Sequence, residues 1–151
     1  MLTVLADVVW PALFLAGRLT AWWCIVVSIL LEAAALWRFA QVQPVKALLA
    51  SIVMNTVSAL CGSLLLPLIG IRWEVIAGLT YNAWFHWGTF NWITQVATWG
   101  IAVLLCTGIE LFVLWLAFFM PWTRRLTVVM LAANAVTVAL AWVTMLLVHP
   151  K

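Results

Sequence analysis

Four predominantly apolar runs of about 20 residues recur along this chain, each long enough as a helix to cross roughly 30 Å of hydrocarbon. Runs of that length need a solvent other than water unless polar sequence elsewhere can cover them, and here it cannot. Of the 151 residues, 68% are hydrophobic and 7% charged, where a soluble domain has about 45–50% apolar and about 25% charged residues. Lipid is therefore the solvent, and the fold class is an all-α membrane protein. The spans consume most of the length, which leaves no room for a soluble catalytic domain, a nucleotide-binding fold or an extended nucleic-acid surface.

The spans divide the chain. Residues 1–18 are apolar but contain Asp7 and Pro11 and lack a basic start, so they read as an interfacial or re-entrant helix that is retained, not as a cleaved signal. A first transmembrane hairpin occupies 19–69, its two spans joined at the polar turn carrying Arg38, Gln41, Gln43, Pro44 and Lys46. Residues 70–92 mix Arg72, Glu74, Asn82, His86 and Asn91 with Trp73, Tyr81, Trp84, Phe85, Trp87, Phe90 and Trp92, the composition of an aromatic-rich connector at the membrane surface. A second hairpin occupies 93–148, turning at Pro121 to Arg125. Placing both tight turns in the cytoplasm puts four basic residues inside against three outside. By the positive-inside rule the termini and the connector are then expected outside a bacterial-type plasma membrane.

The two hairpins match one another. Glu32 stands five residues before Trp37, and Glu110 five before Trp115. Pro44 corresponds to Pro121, and Lys46 and Arg125 each stand nine residues before an asparagine, Asn55 or Asn134. Three residues beyond each asparagine is a hydroxyl, Ser58 or Thr137. Both copies have an even number of spans and so enter from the same side, which predicts a tandem parallel repeat related by an axis near the membrane normal.

Nine residues of helix carry Asn55 and Asn134 about 13 Å into the bilayer, close to its middle. Glu32 and Glu110 reach a similar depth, so each Glu is expected to meet the Asn of its own hairpin. A carboxyl there needs a hydrogen-bonding partner or a wet cavity, and an Asn amide can serve either of its protonation states. Two uses follow. The pairs lock the hairpins, with Ser51, Asn55, Ser58 and Gly62 on one span and Asn134, Thr137, Ala141 and Thr144 on another giving small polar stripes for close packing. Alternatively Glu32 and Glu110 are protonatable sites coupled to movement of a solute.

The remaining chemistry-bearing residues are few. The net charge of +3 arises from seven basic and four acidic residues and marks no nucleic-acid footprint. Cys24, Cys61 and Cys106 are isolated in apolar sequence, without a C-x-x-C pair or metal-ligand spacing. His86 and His149 lie outside the spans, which disfavours haem, and no cofactor or metal is expected. Most of the twelve Trp sit near span ends as interfacial anchors. Trp84, His86, Trp87 and Trp92 form a candidate aromatic cap over the outer mouth. No nucleophile–base pair or phosphate-binding pair is visible, so an enzyme is disfavoured. The reading is a small non-enzymatic subunit of a membrane complex, its partners being lipid and other membrane proteins or itself. A proton-coupled small-molecule or cation carrier acting as an oligomer is the alternative. The subunit leads because two hairpins enclose little space.

Overall fold

The computed structural model describes residues 12–85 and 92–148. Within them the chain is helical apart from short turns, with no strand, and four helices are long and apolar enough to cross a membrane. The protein is an integral membrane protein. A short helix α1 covers residues 12–19, and α2 runs over Trp22–Phe39. Helix α3 covers Pro44–Trp73 and passes through a π-helical turn, Glu74–Gly78, into α4, Leu79–Phe85. Helix α5 covers Trp92–Phe118 and α6 covers Arg124–Val148.

The two tight turns close in the same way. Past α2, Gln41 adopts a left-handed backbone with φ 57°, and the Val42 N–H reaches back to the Leu36 carbonyl at 3.2 Å. Past α5, Phe119 has φ 54°, and the Met120 N–H donates to the Leu114 carbonyl at 3.1 Å. Both return bonds span six residues, one more than a Schellman closure, and fold the chain back over the helix end at the left-handed residue. Neither turn uses glycine at its left-handed residue. On the far side of each turn the next helix begins with residues suited to a start, Pro44 at the first position of α3 and Thr123 before α6, whose hydroxyl accepts from the Leu126 N–H.

The spans form a ring, with α2 packed on α3 and α6, and α5 packed on α3 and α6. The two hairpins thus meet along two seams, α3 against α5 and α2 against α6. Near the turns the core is apolar and close, with Leu36, Ala50, Met54, Leu114 and Met130 all sealed inside. In the connector half it is built from smaller groups, Cys24, Leu66, Ala102, Val138 and Ala141, together with Ala12, Leu15 and Ala16 of α1. Helix α1 buries that stripe at i, i+3, i+4 spacing against the bundle, and a Cβ at Gly70 of α3 would lie 2.6 Å from the Ala12 Cβ. Glycine at position 70 is what lets the two backbones approach. The rest of the expected N-terminal interfacial helix, residues 1–11, lies outside the described residues.

The second span does not end as helix at Ile69. It continues to Phe85, making 42 residues of unbroken helix from Pro44, or about 63 Å at 1.5 Å per residue. Nothing in residues 70–85 compels a break, because Arg72, Glu74, Thr80 and Tyr81 are all tolerated in helices. Pro67 lies inside this helix, and the bond it omits is one the neighbouring turns must do without.

Candidate functional site

The polar centre of the bundle starts from two deeply buried carboxyls. Glu32 is 0% exposed and Glu110 1%. Each sits on the inward face of its helix, one turn on the connector side of the sealing leucine, Leu36 or Leu114. The Asn55 amide donates to one oxygen of Glu32, and the Asn134 amide to one oxygen of Glu110. Expected from spacing, both Glu–Asn pairs are present in the structure.

Around this shared pairing the two clusters differ. Glu32 is surrounded by its own hairpin: the Ser28 hydroxyl, one turn earlier on α2, donates to Oε1 at 2.5 Å. Ser51 of α3 donates to the Ile29 carbonyl at 2.8 Å and lies 3.4 Å from Oε2. The positions matching Ser28 and Ser51 in the other hairpin are Cys106 and Met130, which offer little in exchange. Glu110 instead takes its second bond from across the seam, where the Ser58 hydroxyl of α3 donates to Oε1 at 3.1 Å. Thr137, the counterpart of Ser58, turns its hydroxyl to the Ala133 carbonyl at 3.2 Å. Glu32 therefore satisfies itself locally, and Glu110 depends on both hairpins.

A cavity opens beside this centre on the connector side. Its polar wall includes Ser28, Asn55, Ser58, Glu110, Asn134 and Thr137, and Gly62 and Ala59 leave it room. Ala16, Leu19 and Thr20, from α1 and the residues after it, line it as well, together with Ile25, Leu66, Leu105 and Val138. Glu32 does not line it. Toward the turns the bundle is closed by the Leu36, Met54, Leu114 and Met130 layer. The cavity therefore ends blindly near the two carboxyls.

Of the residues singled out from sequence, Glu32, Asn55, Ser58, Glu110, Asn134 and Thr137 are all buried and converge. The small-residue stripes behave alike, with Ser51 and Ala141 buried and Gly62 and Thr144 partly so. In the aromatic-cap set Trp84 and Trp92 are exposed, and His86 and Trp87 lie outside the described residues. Trp22, Trp37 and Trp122 are exposed near helix ends, where interfacial anchors belong. The three cysteines are free, and among the described residues no group of three His, Cys, Asp or Glu is placed to hold a metal.

Sequence reasoning missed two features. Ser28 is one, although its place four residues before Glu32 already set both on one helix face. Glu74 is the other: read as part of a surface connector, it is 1% exposed in the π-helical turn. A Cβ on Gly78 would collide with the Glu74 carboxyl, so the glycine four residues on makes the space that receives it. That pairing of Glu with Gly was the available signal, and the extra residue of the π turn was not readable. No known protein family matches the chain, and no curated protein or solved structure is significantly similar to it.

Proposed function

We propose that the protein is a small membrane carrier for a cationic solute, with Glu110 as the acid that meets the solute or a proton. The observation that carries this is the blind cavity, which reaches Glu110 from one side of the bundle and stops at an apolar layer on the other. A carboxyl in a membrane interior is a candidate for handling ions or protons when it faces a cavity. The case for a purely structural bundle rests on two hairpins enclosing little space, and the cavity weakens it. In a carrier the Leu114 layer must open toward the turns in some part of the cycle. With the native cysteines replaced by Ala, Leu114→Cys should react with a membrane-impermeant maleimide added on the turn side of reconstituted protein. Complete resistance in the folded protein would remove the carrier.

The matching hairpins are proposed to be a true tandem repeat, comprising 19–69 and 93–148 with 1–18 and 70–92 as added segments. The two matching turn closures, each with its left-handed residue nine positions after the Glu, support this, as does the ring order that sets α2 diagonal to α5. Placing the turns in the cytoplasm, with both termini outside, rests on the balance of basic residues alone.

The second reading is a non-enzymatic accessory or assembly subunit in which both pairs act as locks. It is favoured by Glu32, whose oxygens are occupied from within its own hairpin. Under it, gentle extraction from the native membrane yields a stoichiometric partner protein.

A further inference from the structure

The hydrogen atoms of the cavity wall are already committed. Ser28 donates to Glu32 and Ser58 to Glu110. Thr137 donates to the Ala133 carbonyl, Ser63 to that of Leu60, and Thr20 to Ala16 and Gly17 carbonyls. The two amides are spent in the same way: Asn55 donates to Glu32 and to the Ser51 carbonyl, Asn134 to Glu110 and to the Met130 carbonyl. An amide nitrogen has two hydrogens and a hydroxyl one, so each of these seven side chains has used its donors inside the protein.

With Glu110 ionised, what remains toward the cavity is acceptor capacity: hydroxyl lone pairs, the amide oxygens and the free lone pairs of its carboxylate. Only the weak Cys106 thiol keeps a donor there. No Lys or Arg lines the cavity. A guest that brings only acceptors finds no partner in such a wall, and an anion is repelled by the carboxylate. A cation carrying several N–H groups matches it, and Leu19, Ile25, Leu66, Leu105 and Val138 supply contacts for a small apolar body.

From this pattern of spent donors we infer that the cavity binds a small N–H-bearing cation, an ammonium or guanidinium ion, and that the two acids divide the work. Glu110 contacts the guest, and Glu32, outside the lining and held by Ser28 and Asn55, is a positioning residue that orients Asn55. The inference rests on the carrier reading for its purpose but not for its test, which is equilibrium binding.

The probe is guanidinium at millimolar concentration, which stays charged at any working pH, titrated into purified full-length protein in nanodiscs by calorimetry. Tetramethylammonium, with the charge but no N–H, is the control. Guanidinium should bind, and tetramethylammonium should bind about tenfold more weakly or not at all, since its approach leaves the wall unpaired. Glu110→Gln should weaken guanidinium by at least about tenfold, because it removes the charge and adds a donor to the wall. Glu32→Gln should weaken guanidinium less than Glu110→Gln does, because Gln keeps an acceptor for Asn55 and the residue does not line the cavity. Gly62→Leu serves as a second variant that touches neither acid. A Cβ at Gly62 meets nothing within 4 Å, so the added side chain enters the cavity and should abolish binding in variant protein whose circular dichroism shows it folded.

Equal binding of the two cations overturns the inference, as does binding that survives Gly62→Leu or fails in folded wild-type protein. If Glu32→Gln costs as much as Glu110→Gln at unchanged melting temperature, the division of work is wrong. Guanidinium binding together with an unreactive Leu114→Cys leaves this site standing and removes only the carrier. A reactive Leu114→Cys without guanidinium binding does the reverse.

Discussion

The Ser58 hydroxyl donates to Glu110 across the seam between the hairpins, at 3.1 Å, and no matching bond runs from Thr137 to Glu32. One hairpin thus supplies a partner that the other does not return. Ser58→Ala removes a hydrogen bond to a buried carboxyl and is expected to cost about 1–2 kcal/mol. Thr137→Val, whose hydroxyl serves only its own helix, should cost less than about 0.5 kcal/mol. Thermal unfolding of both variants in one detergent decides this, and equal losses would contradict the asymmetry.

At Glu32 the nature of the substitute should matter more than the loss of charge. Gln keeps an acceptor for Asn55 and can itself donate to the Ser28 oxygen, so Glu32→Gln should change stability by no more than about 1 kcal/mol. Glu32→Ala leaves the Ser28 hydroxyl unpaired, takes from the Asn55 amide one of its two acceptors and opens a void, with an expected loss of about 2–4 kcal/mol. Comparable unfolding temperatures for the two variants would show that the cluster is not a lock.

These pairs were readable because lipid makes polar residues rare and forces them together. With one Glu and one Asn at similar depth in each hairpin, few alternatives exist. The cross-seam bond was not readable, since residue spacing states depth along a helix but not which neighbouring helix it faces. The burial of Glu74 and the continuation of helix to Phe85 escaped for another reason: an interfacial composition of Trp, Tyr and Arg reports the solvent around a segment and not its backbone. Helix α1 shows the same limit, for Ala12, Leu15 and Ala16 are as compatible with lipid as with the bundle they pack against. The cavity itself arises from absent volume at Ala59 and Gly62, which a sequence scan records only as small residues suited to close packing.

Gly78→Ala and Gly62→Ala should differ in sign. At position 78 the added carbon meets the Glu74 carboxyl, and displacing a buried acid in a π-helical turn should destabilise by about 1–3 kcal/mol. At position 62 the carbon enters open space, and the better helix propensity of Ala should stabilise by about 0.5–1 kcal/mol. Chemical denaturation of the two variants side by side is the check.

Gln41 and Phe119 hold left-handed conformations that cost a side-chain-bearing residue about 1–2 kcal/mol. Gln41→Gly should recover about 0.5–1 kcal/mol, with the Val42 to Leu36 bond retained. A lower melting temperature would mean that the Gln41 side chain contributes more than the backbone strain costs.

Thr107 carries a buried hydroxyl that makes no hydrogen bond. Thr107→Val keeps the shape and deletes the orphan, and is expected to raise stability by about 1 kcal/mol. A loss of similar size would point to a partner for that hydroxyl, such as a water molecule, in the membrane.

The self-sufficiency of the Glu32 cluster bears on how such a chain enters a bilayer. Synthesis delivers α2 and α3 first, and every bond that Glu32 accepts comes from those two helices. The first hairpin can therefore leave the insertion machinery with its acid already accommodated. Glu110 emerges later and finds Ser58 waiting, then Asn134 as α6 follows. Order of translation and order of polar satisfaction coincide, so the early hairpin acts as a template for the late one. A chain with the hairpins exchanged would have to release its needier acid into lipid before its helper was made.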